Sequence, residues 1–455
     1  MSSIEPGVEP GVDLAQWSLE QARAAGADAV EVLIVSAESL SAGVRIGEVE
    51  KLKSSRERRL GVRVFVGQSS ATASTAEFER KALGEFVADT VRLARLTAAD
   101  QWSGLPDPAL HPRLLPELEL SDPASGIIEA DRALEIARTA ERAALGADSR
   151  IKNSEGAEFD SGRYRVIFAN SQGFAGEYAG TTYSLAVAPI AEENGAMQPG
   201  HWYTQSRRFD GLEEAASVGL TSARRALRKL GARKIKTTRA PIVFDPDMAA
   251  SLLRALAGAA SGPSLYRGAS FLAGRLGTQI ASSGVTIFDD GTMRGGLGSK
   301  PFDGEGLPTT RKSVLEQGVL KTYLLDTYSA RRLGLAPTGN AARSVGDAPS
   351  VSPTNLYLQP GAYSPEEIIR TVKRGLYLTE LIGFGVNSVT GDYSRGASGM
   401  WIEDGELVYP VQEITIAGNL KDMFMSIEMI GNDLAWRSST VAPTLKISEM
   451  MIAGE

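Results

Sequence analysis

Apolar and polar residues alternate in three short stretches near the amino terminus, as expected for strands with one buried face. The alternating apolar positions are Val30, Val32 and Ile34, then Val44 and Ile46, and then Val62, Val64 and Val66. Glycines lie within or beside these stretches, and because glycine often interrupts a strand, we predict that it separates the strands here. These glycines are Gly43, Gly47, Gly61 and Gly67.

Helical patterns flank the alternating stretches. Asp13 stands where a helix cap is favoured and Gly26 where a left-handed helix stop is favoured, so the first helix is predicted between them. A second helix is predicted from about Glu77 to Arg95, and the prolines between residues 106 and 116 then mark a linker. Residues 1–112 are therefore predicted to form an amino-terminal α+β domain around an α/β sheet.

The middle region, residues 113–239, mixes the same two patterns. It opens with an alanine-rich helix predicted around Ile128 to Leu145 and ends with a helix from about Leu212 to Leu230. Alternating stretches at Tyr164 to Ala169 and Thr181 to Val187 predict strands between the two helices. We therefore predict a separate middle domain.

The carboxyl-terminal region, residues 240–455, is predicted to be large and rich in strands. It begins with a strand pattern at residues 242–244, followed by a helix that starts at Asp245 and Pro246 and ends near Ala260. Residues 364–367, Ser-Pro-Glu-Glu, combine a capping box with proline at the first helical position and predict another helix. Strands separated by glycines fill much of the rest, so the predicted fold class is α+β.

Composition places the chain among soluble globular proteins. Its 455 residues are 43% hydrophobic and 23% charged, which is typical of a chain of two or three domains. Cysteine is absent, so no disulfide or thiolate metal site can form, and a reducing compartment is expected. The amino-terminal residues lack a secretory pattern, and no apolar run approaches the length of a membrane span. We expect a cytoplasmic protein without a membrane partner.

A net charge of −7 opposes general binding to nucleic acid, because such binding is largely electrostatic. One stretch departs from this balance, since it carries eight basic residues and no acidic ones. These are Arg224, Arg225, Arg228, Lys229, Arg233, Lys234, Lys236 and Arg239. The favoured interpretation is a solvated helix face and its exit, and the alternative is a nucleic-acid patch.

A series of short carboxyl-terminal segments follows the order of a known family. The segments are Val285–Gly291, Asp303–Pro308, Gly318–Asp326, Ala336–Asn340, Gly391–Gly399, Tyr409–Val411, Ala417–Leu420 and Ile430–Leu434. In their order and residue patterns these segments resemble the PmbA/TldE branch of the TldD/TldE (PmbA/TldD) metallopeptidase family. The resemblance spans nearly all of residues 240–455 and is weaker through the amino-terminal strands.

This resemblance implies a function and a partner. The chain is expected to be a PmbA/TldE-type subunit of a cytoplasmic metallopeptidase complex that processes or degrades peptides and unfolded segments. A TldD-type catalytic subunit is the expected partner and supplies the zinc, the activated water and the general base. A homodimer is a further possibility for the isolated chain.

The zinc motif of the sister branch, H-E-x-x-x-H, is replaced in this chain. Counting back from the shared segment that starts at Gly268, the motif falls on Leu253 to Gly258, with leucine and glycine at the histidine positions and Arg254 at the glutamate position. A zinc site needs about three protein ligands and a nearby carboxylate to take a proton, and Arg254 would repel the metal. The resemblance therefore implies no catalytic residue and no metal ligand in this chain.

Other residues are weighed as sites. Asp289 with Asp290, or Asp303 with Glu305, provide oxygen ligands for a hard cation, although turn formation is the favoured interpretation. The two histidines, His111 and His201, are the only candidates for a serine triad. Ser149 and Lys152 satisfy the pattern S-x-x-K without a companion motif.

The glycine-flanked segment Gly391–Gly399 carries Asp392, Tyr393 and Arg395. Because glycine allows close backbone approach, these polar side chains are predicted as a possible lining of a peptide chamber. The alternative is a folded turn in which Asp392 and Arg395 satisfy each other.

Two other functions stay open at this point. One is a self-sufficient hydrolase that uses a carboxylate or serine site. The other is a regulatory binding protein of a nucleic-acid enzyme, of the gyrase-modulator type, for which the basic stretch after Arg224 is the local support.

Overall fold

The first and middle parts of the chain build one antiparallel sheet. The computed structural model describes residues 11–124 and 128–455, so the extreme amino terminus, where no secretory signal is expected, lies outside the described residues. The strands of this sheet are β1 (Ala29–Arg45), β2 (Glu48–Val66), β3 (Ser69–Thr75), β4 (Ile151–Asn170), β5 (Ala175–Glu193), β6 (Ala196–Pro199) and β7 (Trp202–Ser206). Their order is β3-β2-β1-β4-β5-β6, with β7 also paired to β5.

The pairing of β1 with β4 joins the amino-terminal and middle regions. It runs from Glu31 opposite Asn170 to Val44 opposite Ala157. The sheet therefore crosses the boundary predicted at residue 112, and the domain bounds stay a prediction.

Two of the glycines predicted to separate strands lie inside them, so that part of the prediction is wrong. Gly43 is within β1 and Gly61 within β2, and the turn between the two strands is formed by Ile46 and Gly47. Both turn residues have positive φ, 51° and 79°. A Cβ at Gly61 would lie 3.0 Å from the backbone nitrogen of Gly346, so this glycine permits close approach of a neighbouring segment instead of ending the strand.

Helices cover one face of the sheet in two pairs. The first pair is α1 (Val12–Ala24) and α2 (Arg80–Ala94), and the second is α3 (Ala130–Leu145) and α4 (Ala215–Leu227). Alternate residues of β1 point to these helices, with Val30 and Val32 packed under the first pair and Leu40 and Ala42 under the second. Short 3₁₀ helices lie at Pro108–Leu110 and Phe209–Gly211.

The predicted helix ends are partly corrected. The cap of α1 is Gly11, and Asp13 lies in the first turn, where its charge still favours the helix amino terminus. Gly26 follows the helix with φ of 93°, as predicted for the stop. The helix predicted from Leu212 begins only at Ala215.

The carboxyl-terminal region is rich in strands, as predicted. Its strands are β8 (Thr238–Phe244), β9 (Ile287–Asp290), β10 (Arg311–Glu316), β11 (Val319–Leu320), β12 (Ala341–Ala342), β13 (Ser350–Val351), β14 (Leu356–Leu358), β15 (Arg374–Ile382), β16 (Asp392–Glu403), β17 (Glu406–Asn419), β18 (Ile427–Ile430), β19 (Thr440–Val441) and β20 (Leu445–Ala453). Its helices are α5 (Pro246–Ala259), α6 (Gly262–Tyr266), α7 (Thr327–Leu333), α8 (Pro365–Arg370) and α9 (Leu420–Met425).

Two larger sheets and one helix organise this region. One sheet has the order β17-β16-β15-β8-β20-β18, and β17 also pairs with β20, so its first five strands close on themselves. The second sheet has the order β11-β10-β9-β14-β19. Helix α5 follows β8 directly and contacts strands of both sheets, which places it in the shared core. The α+β fold class is confirmed.

The capping box predicted at the start of α8 is confirmed. The amide of Glu367 donates to Ser364 Oγ at 3.2 Å, and the amide of Ser364 donates to Glu367 Oε2 at 2.7 Å. Within the described part of the chain, no helix combines the length and the apolar surface that a bilayer crossing demands.

A buried ion pair connects the first sheet to the carboxyl-terminal region. Arg343 Nη1 lies 2.6 Å from Glu31 Oε2 on β1, and Arg63 Nη1 on β2 lies 3.5 Å from the same oxygen. The Glu31 side chain is fully buried and that of Arg343 is 1% exposed. The guanidinium of Arg343 also lies 5.7 Å from the centre of the Phe168 ring on β4.

Two further buried acidic residues lie near one another, Asp303 and Glu305, and Glu305 also feels the charge of Glu31. Asp303 accepts hydrogen bonds from the amides of Glu305, Leu307 and Ala341, so it shapes a turn, and burial raises its pKa against the attraction of Lys300. Glu305 Oε2 accepts from the amide of Thr327 at 2.8 Å. Burial, with added repulsion from Asp303, raises the pKa of Glu305 to about 8.

We expect Arg343→Met to lower the free energy of unfolding by about 3–5 kcal/mol, because it leaves a buried carboxylate with only the more distant Arg63. A urea titration followed by circular dichroism measures this loss. The double variant Glu31→Gln/Arg343→Met should lose less than the two single variants together, since both charges are then gone.

The matched control is Arg142→Gln, which breaks the exposed 3.0 Å pair with Glu135 on α3. Exposed pairs contribute little, so the urea midpoint should hardly move. An Arg343→Met variant as stable as Arg142→Gln would contradict the role given to the buried pair.

We also expect Glu305 to make stability fall as the pH rises from about 5 to about 8. This residue holds its proton in the folded state up to a pKa of about 8, against an ordinary value of 4.5, so it binds more protons in the folded than in the unfolded state across this window. Glu305→Gln should reduce the slope by up to about 1.4 kcal/mol per pH unit. Urea titrations at several pH values test this, and equal slopes in both proteins would refute it.

Candidate functional site

Helix α5 carries the three positions that were predicted to match the zinc motif of the sister branch, Leu253, Arg254 and Gly258. Asp245 caps the helix by accepting from the amide of Asp247, and Pro246 occupies its first turn. Leu253 is 1% exposed and packs in the carboxyl-terminal core, whereas Arg254 and Gly258 are exposed. Residues four apart share a helix face, so the structure brings positions 254 and 258 together and turns position 253 away from them.

Arg254 lines a cleft of about 270 Å³ between α4, α5 and the segment that follows β18. We call it the cationic cleft and define it by its five basic residues: Arg225, Arg228, Lys229, Arg254 and Arg437. Asp247 and Glu380 also line the cleft, so positive charge exceeds negative charge on its walls.

Three of these cations have carboxylate partners. Lys229 Nζ lies 2.9 Å from Glu380, Arg437 Nη2 lies 3.6 Å from Asp247, and Arg225 Nη1 lies 3.5 Å from the buried Asp245. Burial raises the pKa of Asp245, although Arg225 opposes this.

The other two cations, Arg228 and Arg254, have no carboxylate within 4 Å among the described residues. The buried Nε of Arg228 has no hydrogen-bond partner there. Burial, together with the nearby charge of Arg225, lowers the pKa of Arg228. The cleft therefore contains positive charge that the protein itself leaves unbalanced.

Trp202 holds two of the cations in place. Its ring centre lies 4.2 Å from the guanidinium carbon of Arg437 and 5.0 Å from that of Arg225. Its indole nitrogen donates to Glu213 at 3.1 Å, which fixes the ring. Such cation–π contacts stabilise a guanidinium without neutralising it.

The basic stretch between Arg224 and Arg239 is not a solvated helix face along its whole length, so that interpretation is partly wrong. Arg224 is exposed, but Arg225, Arg228 and Lys229 are half-buried and line the cleft. The helix face that carries them lies against the carboxyl-terminal region, a tertiary contact that helical periodicity does not show. The sequence analysis did not predict their neighbours Trp202 and Arg437. In the sequence, only the aromatic character of one and the positive charge of the other could have suggested a place in a binding cleft.

His111 has a structural role. Its Nδ1 lies 3.1 Å from the carbonyl oxygen of Gly306, and its Nε2 lies 3.0 Å from Asn170 Nδ2, so Nδ1 donates and Nε2 accepts. Its ring stacks on Phe174 with centroids 5.0 Å apart. Both ring nitrogens are therefore occupied.

His201 lines the cationic cleft and packs against Tyr203, as its aromatic surroundings in the sequence indicate. Burial and the nearby Arg225 lower its pKa. No serine hydroxyl in the described residues hydrogen-bonds to either histidine. Ser149 lies exposed in the turn before β4 and Lys152 lies exposed on that strand, and the described structure has no hydrogen bond between them.

The carboxylates considered for a metal are engaged by protein donors. Asp289 is fully buried and accepts from Lys312 at 3.1 Å, from Asn340 at 2.7 Å, and from the amide and hydroxyl of Thr354. Asp290 accepts from the amide and hydroxyl of Thr292.

The described residues contain no group of three or more His, Asp or Glu side chains arranged to hold a metal. At α5 the donor set is leucine, arginine and glycine, with one imidazole across the cleft. Zinc requires about three nitrogen, sulfur or oxygen ligands, so these residues do not fit the zinc site of the sister branch.

Asp392, Tyr393 and Arg395 do not form one polar group. Asp392 is exposed and accepts from Thr390 and Asn419, not from Arg395. Tyr393 is 2% exposed, and burial raises its pKa to about 12. Alternate strand residues share a face, so Tyr393 and Arg395 point the same way and Asp392 points to the other side. Their place in a peptide chamber stays a prediction.

Models of one metallopeptidase family match all three regions of the chain. The PmbA/TldA metallopeptidase C-terminal domain matches residues 237–454, the central domain matches residues 124–230, and domain 1 matches residues 30–94.

Individual proteins agree with these matches. "Metalloprotease PmbA" of Escherichia coli O157:H7 is 39% identical over 94% of this chain and 93% of its own length. A solved structure from Bacteroides thetaiotaomicron, named as a candidate modulator of DNA gyrase, is 31% identical, with a TM-score of 0.91 over 97% of this chain and 98% of that one. TldE from Thermococcus kodakarensis shares the fold, with a TM-score of 0.86 at 20% identity over 97% of this chain and 99% of that one. The chain belongs to the PmbA/TldD metallopeptidase family.

Proposed function

We propose that this chain is the non-catalytic, PmbA/TldE-type subunit of a peptidase whose zinc is held by a TldD-type partner. The observation that supports the proposal is the surface of α5, where Arg254 lines the cationic cleft and Leu253 is buried in the core. The resemblance predicts that Arg254 occupies the position of the general base and Leu253 that of a zinc ligand. A cation there cannot take a proton from water, and a buried leucine cannot ligate a metal.

The proposed contribution of this chain is to bind peptide. Zinc bound in the partner would polarise the peptide carbonyl and activate water. The cationic cleft lies beside the same helix α5, and Arg228 and Arg254 leave charge available there for a polar group of the substrate. Since the cleft holds guanidinium groups where a peptidase needs a base, it suits positioning and not bond cleavage.

Direct contact with DNA has less support. Three cations of the basic stretch face the cleft, Lys234 pairs with Glu413 and Glu455, and Arg239 pairs with Glu449. A phosphate-binding surface needs exposed and unpaired charge, and most of this stretch does not provide it.

We expect the purified chain to show no peptidase activity and to bind zinc below one equivalent, and we expect activity to appear on mixing with a TldD-type protein of the same organism. Fluorescein-labelled casein, an unfolded protein, is the substrate, and metal is measured for each subunit by mass spectrometry.

Separate treatment with a chelator provides the control. Each subunit is incubated with 1,10-phenanthroline, dialysed and mixed with its untreated partner. Treating this chain should leave activity intact, whereas treating the partner should abolish it because the metal is removed there. Casein hydrolysis by the isolated chain would overturn the proposal, and so would loss of activity after treatment of this chain alone.

A further inference from the structure

The cationic cleft has the features of a site for one small anionic group. From its charge, shape and apolar lining we infer that it binds the carboxyl-terminal carboxylate of a peptide. This inference rests on the proposed function, because it names the part of the peptide substrate that this subunit would hold.

Charge is the first support. Of the five cations, three are paired with carboxylates at 2.9 to 3.6 Å, and Arg228 and Arg254 are not paired in the described structure. Arg228 has a buried Nε without a hydrogen-bond partner. Burying a polar nitrogen without a partner is costly, so an incoming acceptor would satisfy a group that the protein leaves unsatisfied.

Charge favours a carboxylate over a phosphate. A guanidinium presents two parallel N–H groups that match two oxygens of either anion, and the cleft offers two guanidinium groups without a carboxylate partner among the described residues. Asp247 and Glu380 also line the cleft, and their negative charge would repel a dianion more strongly than a monoanion.

The remaining lining suits the side chain of a terminal residue. Trp202, Met248 and Val441 give the cleft an apolar wall close to the cations. The volume of about 270 Å³ lies just below the range of about 300–1,000 Å³ typical of sites for drug-sized molecules. A single terminal residue with its carboxylate therefore fits better than a long extended segment.

The test compares two probes that differ only at the carboxyl end. Gly-Ala-Ala-Leu, labelled with fluorescein at its amino terminus, is prepared as the free acid and as the carboxyl-terminal amide. Binding to the isolated full-length chain is followed by fluorescence anisotropy at low ionic strength. The free acid should bind about tenfold more tightly, since charge-assisted hydrogen bonds are stronger than neutral ones.

Variants locate the site. Arg254→Gln and Arg228→Gln should each weaken binding of the free acid about tenfold and leave the amide unchanged. The matched control is Arg224→Gln, because Arg224 lies in the last turn of α4, one turn before Arg228, but is exposed and donates to Thr221. If the half-buried Arg228→Gln variant does not fold, the exposed Arg254→Gln decides the outcome.

Inorganic phosphate is the competitor that separates the two sources of negative charge. We expect phosphate to displace the free acid only at concentrations well above the dissociation constant of the peptide. Displacement at lower concentrations would assign the cleft to phosphate and overturn the inference. Equal binding of acid and amide, or no binding of either probe, would also overturn it.

The binding test is independent of the peptidase test, since it uses neither the partner nor turnover. Partner-dependent hydrolysis without a preference for the free acid would contradict only the inference that the cleft binds a carboxylate. Preference for the free acid without partner-dependent hydrolysis would contradict the proposed function and still support the carboxylate-binding site.

Discussion

The contact between Glu31 and Arg343 sets the relation between the two halves of this molecule. It joins the start of β1 to a loop of the carboxyl-terminal region, and both side chains are almost completely buried. A desolvated pair of this kind contributes little net stability but strongly disfavours any arrangement that separates its members. The pair therefore favours this way of docking the sheet, in which residues of both halves form the walls of the cationic cleft.

Helix α5 meets two demands with one short sequence. Its fourteen residues place leucine and alanine in a core shared by two sheets and leave a narrow outer face. Neighbouring residues of a helix point about 100° apart, so Leu253 and Arg254 can serve the core and the cleft separately. The exposed face carries the cation Arg254, and the buried face packs in the core, so the chemistry of the helix surface is separate from its packing.

The sequence predicted secondary-structure elements well where they depend on residues close together in the chain. It predicted them poorly where they depend on contacts between distant segments. Alternation located β1 and β2, and the capping box at Ser364 placed a helix start correctly, because both depend on near neighbours. Gly61 was misread because its close neighbour is Gly346, nearly three hundred residues away. The replacement of the zinc motif stays a prediction from the resemblance. The cleft could not be predicted from the sequence, since Arg437 and Trp202 reach it from distant segments.

The central place of β1 has a consequence for dissection of the protein. This strand is flanked by β2 on one side and by β4 on the other, and β4 lies beyond the linker near residue 112. A fragment that stops at the linker would expose the backbone donors and acceptors of β1 along much of its seventeen residues. An unpaired edge strand of this kind can pair with a strand of another molecule, so isolated amino-terminal fragments would tend to self-associate.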